Sequence, residues 1–95
     1  MISLVVRVRA NPGREADYAQ YSKEFGANVE ANREGCLMFR TYRTDDPLEF
    51  VTIEHFKDQA ALKAHQAAAD TKAALDRLKG IVDGDIDVQV YTQPV

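Results

Sequence analysis

The chain has no tryptophan, a single cysteine and two histidines among its 95 residues. One cysteine cannot form an internal disulfide, which is typical of proteins in a reducing compartment. Cys36, His55 and His65 are scattered along the sequence and lack the spacing of a metal-ligand cluster. We therefore expect no disulfide framework and no metal site.

Long runs of one charge or of apolar residues are also missing. The chain has 12 lysine and arginine residues against 15 acidic ones, a net charge of −3, so no basic surface for nucleic acid is expected. No apolar stretch approaches the roughly 18 residues of a membrane span. The opening "MISLVVRVRANPGRE" places arginines inside its apolar stretch, unlike a signal peptide. These features predict one cytoplasmic domain over residues 1–95, without a membrane partner.

The apolar periodicity that is present predicts six elements. Strands are predicted where apolar and polar residues alternate or β-branched residues cluster, and helices where apolar residues recur every three or four positions. The predicted strands are 2–10, 36–44, 49–57 and 85–92, and the predicted helices are 14–33 and 59–80, the second broken near residues 69 and 70. This order is that of the ferredoxin-like βαββαβ fold, an α+β fold with a four-stranded antiparallel sheet and its helices on one face.

The second face of such a sheet has no helices from its own chain. In the two hairpin strands apolar side chains occur on both faces, since Leu37 and Phe39 oppose Met38 and Tyr42. Contiguous apolar surface on a small domain marks an interface. We therefore expect a homodimer in which two sheets pack face to face. The alternative is a monomer with scattered exposed apolar side chains.

Three segments carry a resemblance to a known family: "VVRVRANPGREADYAQY", "REGCLMFRTYRTDDPLEFVTIEHFKDQAALKAH" and "DVQVYTQPV". They resemble the antibiotic biosynthesis monooxygenase (ABM) domain, whose members include small quinol monooxygenases. The resemblance implies a dimeric α+β barrel with a pocket between each sheet and its helices. It also implies oxidation of electron-rich aromatic or quinol substrates by O2 without a cofactor in some members.

The sequence departs from its relatives at several positions. Asp70 and Thr71 stand where many relatives carry a second histidine and an aromatic residue. The resemblance implies that haem-degrading members of the family use an asparagine, a tryptophan and a histidine. The matching positions in this chain hold Val6, His65 and Leu75. The comparison disfavours haem degradation and leaves a mechanism with one histidine.

His65 is the first candidate catalytic residue. Leu62, His65 and Ala69 lie at i, i+3 and i+7 of a helix, so the imidazole shares the stripe expected to face the core. Its small alanine neighbours leave room for a pocket beside the ring. A buried, neutral imidazole there would serve as a general base. The alternative is a core histidine whose ring nitrogen is bonded to a backbone carbonyl.

Glu54 is the second catalytic candidate, on the strand face shared by Phe50, Thr52 and Phe56. If that face looks toward the helices, burial raises the pKa of the carboxyl, which could orient His65 or take a substrate proton. The alternative is a structural ion pair with an arginine or lysine.

The candidate substrate-binding residues are less specific in type. Aromatic residues such as Tyr18, Tyr21 and Phe25 would suit a planar ligand, and their alternative role is packing in the core. An arginine could hold an anionic oxygen, and its alternative role is pairing with an acidic neighbour. These candidates are Tyr21, Phe25, Leu62, Arg40 and Tyr42. His55 and Cys36 are interpreted as structural, and the mid-helix Gly26 predicts close approach to the sheet or a cavity wall.

Together these observations predict a monooxygenase without bound metal or flavin that oxidises a quinol or phenolic small molecule with O2 in an apolar pocket. A small-molecule binding or isomerising protein with the same pocket is the alternative. The third hypothesis is a dimer with a purely structural role. RNA recognition comes last, since the central strands lack paired aromatic residues and the surface is not basic.

Overall fold

A computed structural model describes residues 1–95, and its elements follow the predicted order. The elements are β1 (Ile2–Arg9), α1 (Glu15–Asn32), β2 (Cys36–Arg43), β3 (Glu49–Phe56), α2 (Gln59–Ala67), α3 (Ala69–Arg77) and β4 (Asp87–Tyr91). The break in the second helical stretch lies at Ala68, whose extended backbone separates α2 from α3. No helix is long and apolar enough to cross a lipid bilayer.

The four strands form one antiparallel sheet in the order β2-β3-β1-β4. Alternate residues of β1 and β3 are buried under the helices, as the period of two in a strand requires. The arrangement is an α+β ferredoxin-like fold, which confirms the predicted fold class.

The hydrophobic interior consists of two clusters of buried residues. The first core cluster is Ile2, Leu4, Val29, Phe39, Phe56, Ala61 and Leu62. The second core cluster is Val8, Ala10, Tyr18, Phe50 and Ile81. Val6, at the centre of β1, packs against both clusters. The two clusters therefore lie toward opposite ends of the central strands, with a space between them.

Gly26 explains how closely α1 approaches the sheet. A Cβ atom at this position would lie 2.8 Å from the carbonyl oxygen of Phe39 on β2. No real Cβ atom occupies so short a distance, so only glycine allows the helix to contact the β2 backbone here. The structure thus shows the close approach that the mid-helix glycine predicted.

The side of the sheet opposite the helices is called the open face. At its centre are Val5, Val51 and Ile53, each only half-buried because no helix of the chain covers them. Ser3 and His55 also lie on this face, where the serine Oγ and His55 Nδ1 share a hydrogen bond of 2.8 Å. His55 therefore points away from the helices, as its position in the strand predicted.

Candidate functional site

A cavity of about 220 Å³ lies between the helices and the sheet, in the space between the two core clusters. Twenty residues line it, of which 13 are hydrophobic. The polar lining residues are Ser22, Thr41, Thr52, Glu54, His65, Gln66 and Thr71. No lysine or arginine contributes to the wall. The cavity is an apolar chamber whose titratable groups, apart from tyrosine hydroxyls, are one carboxyl and one imidazole.

Glu54 supplies the carboxyl from the middle of β3, flanked across the sheet by Leu4 and Phe39. The residue is 7% exposed, and its carboxylate has no hydrogen bond or salt bridge within the protein. Burial raises the pKa of this carboxyl to about 7, because an apolar environment penalises the charged form.

The predicted alternative for Glu54, an ion pair with a neighbouring base, is not formed. Arg7 pairs instead with Glu49 at 3.0 Å, and Arg40 pairs with Glu30 at 3.0 Å. Both pairs lie at the surface, because the two arginines alternate away from the helix-covered side of their strands.

His65 supplies the imidazole from α2, above the sheet. Its ring centroid lies 5.0 Å from that of Phe56 and 5.5 Å from that of Phe39, and the residue is 5% exposed. Burial lowers the pKa of the ring, the nearby charge of Arg33 lowers it further, and Asp70 acts in the opposite direction. His65 is therefore neutral at pH 7.

The two nitrogens of His65 differ in their surroundings. Nδ1 is enclosed by protein and has no hydrogen-bond partner, whereas Nε2 is not enclosed in this way. Neither Glu54 nor a backbone group bonds to Nδ1, so the expected partner that would fix the tautomer is absent. Nε2 is the nitrogen that a molecule in the cavity can reach.

An ion pair beside His65 joins α1 to α3. Arg33 follows the last residue of α1, and its Nη2 donates to both carboxylate oxygens of Asp70, at 2.7 and 2.8 Å. The same atom lies 3.4 Å from the hydroxyl of Thr71, which lines the cavity. Asp70, where the family resemblance implied a second histidine, therefore belongs to an ion pair in this chain.

A second polar group lies closer to the second core cluster. Thr41 on β2 and Thr52 on β3 share a hydrogen bond of 2.7 Å between their hydroxyl groups. Tyr18 lines the cavity nearby; burial raises the pKa of its hydroxyl to about 12, and Thr52 partly offsets this effect. Sequence reasoning missed the two threonines, although the alternation of β3 had already placed Thr52 on the same face as Glu54.

The remaining predicted site residues divide into two groups. Tyr21, Phe25 and Leu62 line the cavity with Glu54 and His65. Arg40 and Tyr42 do not, because Phe39 and Thr41 take the positions of β2 that face the helices.

The two residues outside the cavity line a shallow groove between α1 and β2. The side chain of Arg40 is 60% exposed there and makes the ion pair with Glu30 that was its alternative role. No group of three or more His, Cys, Asp or Glu residues is arranged to hold a metal ion.

The sequence profile of the antibiotic biosynthesis monooxygenase family matches residues 1–77, which are most of the chain. The matched part contains every element that lines the cavity except β4 and the segment before it. The chain belongs to the antibiotic biosynthesis monooxygenase (ABM) family. Membership supports a monooxygenase-like function in general terms and the binding of a small molecule. No protein with a curated function matches this ABM chain.

Solved structures show the same fold. A Deinococcus radiodurans protein with a provisional name as an antibiotic biosynthesis monooxygenase superposes with a TM-score of 0.92 at 22% identity, over 100% of this chain and 94% of its own. A Caulobacter crescentus protein with the same provisional name gives a TM-score of 0.91 at 22% identity, over 99% and 90% of the two chains. A Nitrosomonas europaea protein gives 0.89 at 17% identity, over 98% of each. At these identities the likeness describes the fold of the ABM domain.

Proposed function

We propose that this ABM family member is a monooxygenase that works without a bound metal or flavin and oxidises a quinol or phenolic ring with O2. The observation that carries the proposal is that the Glu54 carboxyl and the His65 imidazole line the same apolar cavity. The carboxyl and Nδ1 of the imidazole have no hydrogen-bond partner in the protein. Perturbed titratable groups in a concave apolar cavity are typical of sites that move protons.

The lining of the cavity favours an uncharged and compact substrate. No lysine or arginine is present to neutralise a carboxylate or phosphate on the ligand. A buried anion without a partner is strongly disfavoured. The volume of about 220 Å³ lies below the usual range for drug-sized ligands, which favours one or two fused rings.

Glu54 is the proposed proton acceptor. An electron-rich ring gives up an electron to O2 more readily once its hydroxyl is deprotonated, so removal of the proton is the step that the protein assists. A carboxyl with a pKa of about 7 is substantially ionised at neutral pH and is a stronger base than an exposed glutamate.

His65 is proposed to hold the oxygen from which the proton has left. Nδ1 lies on the enclosed side of the ring, and the positive charge of Arg33 acts on this histidine. In the proposed tautomer Nδ1 is unprotonated and Nε2–H is directed at the cavity. The imidazole would then donate a hydrogen bond to the substrate oxyanion. This role replaces the general base expected from the sequence.

The proposed reaction is balanced with the substrate as the only reductant. One quinol and one O2 give one hydroxylated quinone and one water. One oxygen atom enters the ring, the other leaves as water, and the ring loses its two hydroxyl hydrogens in the conversion to the quinone. The C–H hydrogen at the hydroxylated carbon passes to the new hydroxyl group.

Oxygen uptake with reduced menadione, and the mass of the product under ¹⁸O2, test the function. We expect uptake above the autoxidation rate and one labelled oxygen atom per product molecule. The same assay with Glu54→Gln measures any catalysis that does not need the carboxyl. Uptake by the wild-type protein at the background rate with a panel of naphthoquinols and phenols would exclude the proposed activity.

A non-oxidative binding or isomerising role is the second candidate. The hydroxyls of Thr41, Thr52 and Tyr18 can hold a ligand oxygen without any redox step. Ligands that raise the melting temperature and are recovered unchanged or isomerised, without oxygen uptake, would favour this role.

We also propose that the protein is a homodimer formed through its open face. Val5, Val51 and Ile53 form an apolar centre on a face that no element of the chain covers, with Tyr42 and Tyr91 exposed around it. Contiguous apolar surface of this kind is typical of an interface, and a second copy would present the same patch.

Val5→Glu should convert the dimer to a monomer. Val5 lies directly opposite Ile53 and Gln89 in the sheet. On the same face Arg7 is already paired with Glu49 and His55 is bonded to Ser3, so a glutamate at this position would be buried between two sheets without a free basic partner. Light scattering coupled to gel filtration should show the mass halved, with circular dichroism confirming a folded chain. Val5→Thr, which keeps the branched shape, is the matched control and should remain dimeric. A wild-type mass equal to that of one chain would contradict the dimer.

A further inference from the structure

A surface groove adjoins the cavity and differs from it in character. The groove has a volume of about 420 Å³ and is lined mainly by charged and polar side chains of α1 and of the segment that ends α3. It is called the charged groove here. Its basic residues are Arg14, Arg77 and Lys79, and its acidic residues are Asp17 and Glu24. Tyr21 is the one residue that lines both the charged groove and the apolar cavity. Its side chain is therefore the wall between the two spaces.

Residues of α1 and α3 hold the ring of Tyr21 in place. The guanidinium carbon of Arg77, on α3, lies 4.4 Å from the ring centroid. Phe25, one turn along α1, lies 6.2 Å away with its ring nearly parallel, at an interplanar angle of 19°. Cation–π contact and stacking both favour this ring position.

Arg77 is free to pair with another anion, unlike its basic neighbours in the charged groove. Arg14 pairs with Asp17 at 2.8 Å, and Lys79 pairs with Asp76 at 2.8 Å. Arg77 makes no salt bridge, and its contact is with the face of Tyr21. If the ring of Tyr21 were removed, the Arg77 guanidinium would lie at the new opening, where an anionic group of a ligand could reach it.

We propose that Tyr21, held by Arg77, is the specificity-determining wall that restricts the cavity to compact uncharged rings, and that opening it admits rings carrying an anionic side chain. This inference rests on the proposed function for the identity of the ring. The cavity would receive the ring, and the charged groove would receive the side chain, whose carboxylate pairs with Arg77.

The test compares menadiol with a naphthoquinol that carries a flexible carboxyalkyl side chain. For wild-type protein we expect kcat/KM to favour menadiol. We expect Tyr21→Ala to raise the kcat/KM of the side-chain compound relative to that of menadiol by about tenfold or more, the effect that a single methylene group has in an apolar pocket. Tyr21→Phe keeps the wall and should keep the wild-type ratio. An unchanged ratio in a folded Tyr21→Ala protein would overturn the proposal.

A double variant separates the wall from the charge. Tyr21→Ala combined with Arg77→Ala should lose most of the gain for the carboxylated compound but keep a gain for an uncharged side chain of equal length. Equal gains for both compounds in both variants would remove Arg77 from the proposal. Tyr21→Leu, with a smaller loss of packing, replaces Tyr21→Ala if the latter does not fold.

Binding measurements keep this test independent of turnover. The affinities of the two oxidised quinones, measured by calorimetry, should show the same change of preference in Tyr21→Ala. A change in binding preference without any oxygen uptake would support the wall and exclude the monooxygenase. Oxygen uptake without a change in preference would support the monooxygenase and exclude the wall.

Discussion

At pH 8 the Glu54→Gln variant should unfold at a higher temperature than the wild-type protein, while its kcat/KM falls by about 10²- to 10⁴-fold. The two effects have one cause. The carboxylate that is proposed to accept the substrate proton is buried without a partner, so its charge destabilises the folded protein. Glutamine has a similar shape and carries no charge at any pH.

The pH dependence gives the prediction its sign. Because the pKa of Glu54 is about 7 in the folded protein and 4.5 as its ordinary value, the folded state binds this proton more tightly than the unfolded state. The associated stability is fully present below the ordinary pKa and is lost as the pH rises toward 7. The loss amounts to about 3 kcal/mol above pH 7. The melting-temperature difference should be roughly 12–24 °C at pH 8 and should shrink toward pH 4.

Activity provides the second measurement. In the wild-type protein kcat/KM, corrected for autoxidation, should rise with pH through about 7 as Glu54 loses its proton. This rise should be absent in Glu54→Gln. A rise well below pH 6.5 that persists in Glu54→Gln would instead assign the base to His65, whose pKa is lowered.

Glu34→Gln is the matched control for both measurements. The Glu34 side chain is 95% exposed, so its charge is solvated in both states. We expect neither a pH-dependent change in melting temperature nor a change in activity. If the melting-temperature difference of Glu54→Gln were the same at pH 4 and pH 8, the raised pKa of Glu54 would be contradicted.

Gly26→Val should lower the free energy of unfolding by about 2 to 4 kcal/mol. The new Cβ would lie 2.8 Å from the Phe39 carbonyl oxygen and 3.2 Å from the Phe39 ring, so α1 must move away from β2. Overpacking of this kind typically costs about 1–3 kcal/mol, and a clash with a backbone atom relaxes less easily than one with a flexible side chain. Since Phe39 also lines the cavity, ligand binding should weaken as well.

Ala27→Val, one residue along the same helix, separates the contact from helix propensity. Ala27 is exposed, so its substitution costs only the difference in propensity, about 0.6 kcal/mol. Propensity alone would make Gly26→Val slightly stabilising and Ala27→Val slightly destabilising. Urea unfolding of both variants measures the difference. A Gly26→Val protein as stable as the wild type would show that α1 does not need this contact.

The fold could be predicted from the sequence because its signals are local. Each of these signals acts over a few residues: the alternation in β1 and β3, the turn after β1 and the cap of α2. The cap is the side chain of Asp58, which accepts a hydrogen bond of 2.8 Å from the Ala61 N–H. The break between α2 and α3 was predicted near residues 69 and 70 and occurs at Ala68.

The site could be predicted only in part, because it depends on contacts between distant segments. Glu54 and His65 were recognisable from residue type and periodicity. The ion pair of Arg33 with Asp70 joins residues 37 positions apart, and no short motif indicates it. The placement of Arg40 and Tyr42 depends on the face that β2 turns to the helices, which became clear only from its register with β3.

The separation of the two core clusters has a consequence for how the molecule opens locally. Only Val6 packs against both core clusters. An apolar gap therefore crosses the interior at the middle of β1, between the two clusters. Interiors with unfilled space lose dispersion contacts along the gap. A bound ring would supply those contacts. Amide hydrogen exchange should then slow together in the two halves of β1, which would open as one cooperative unit.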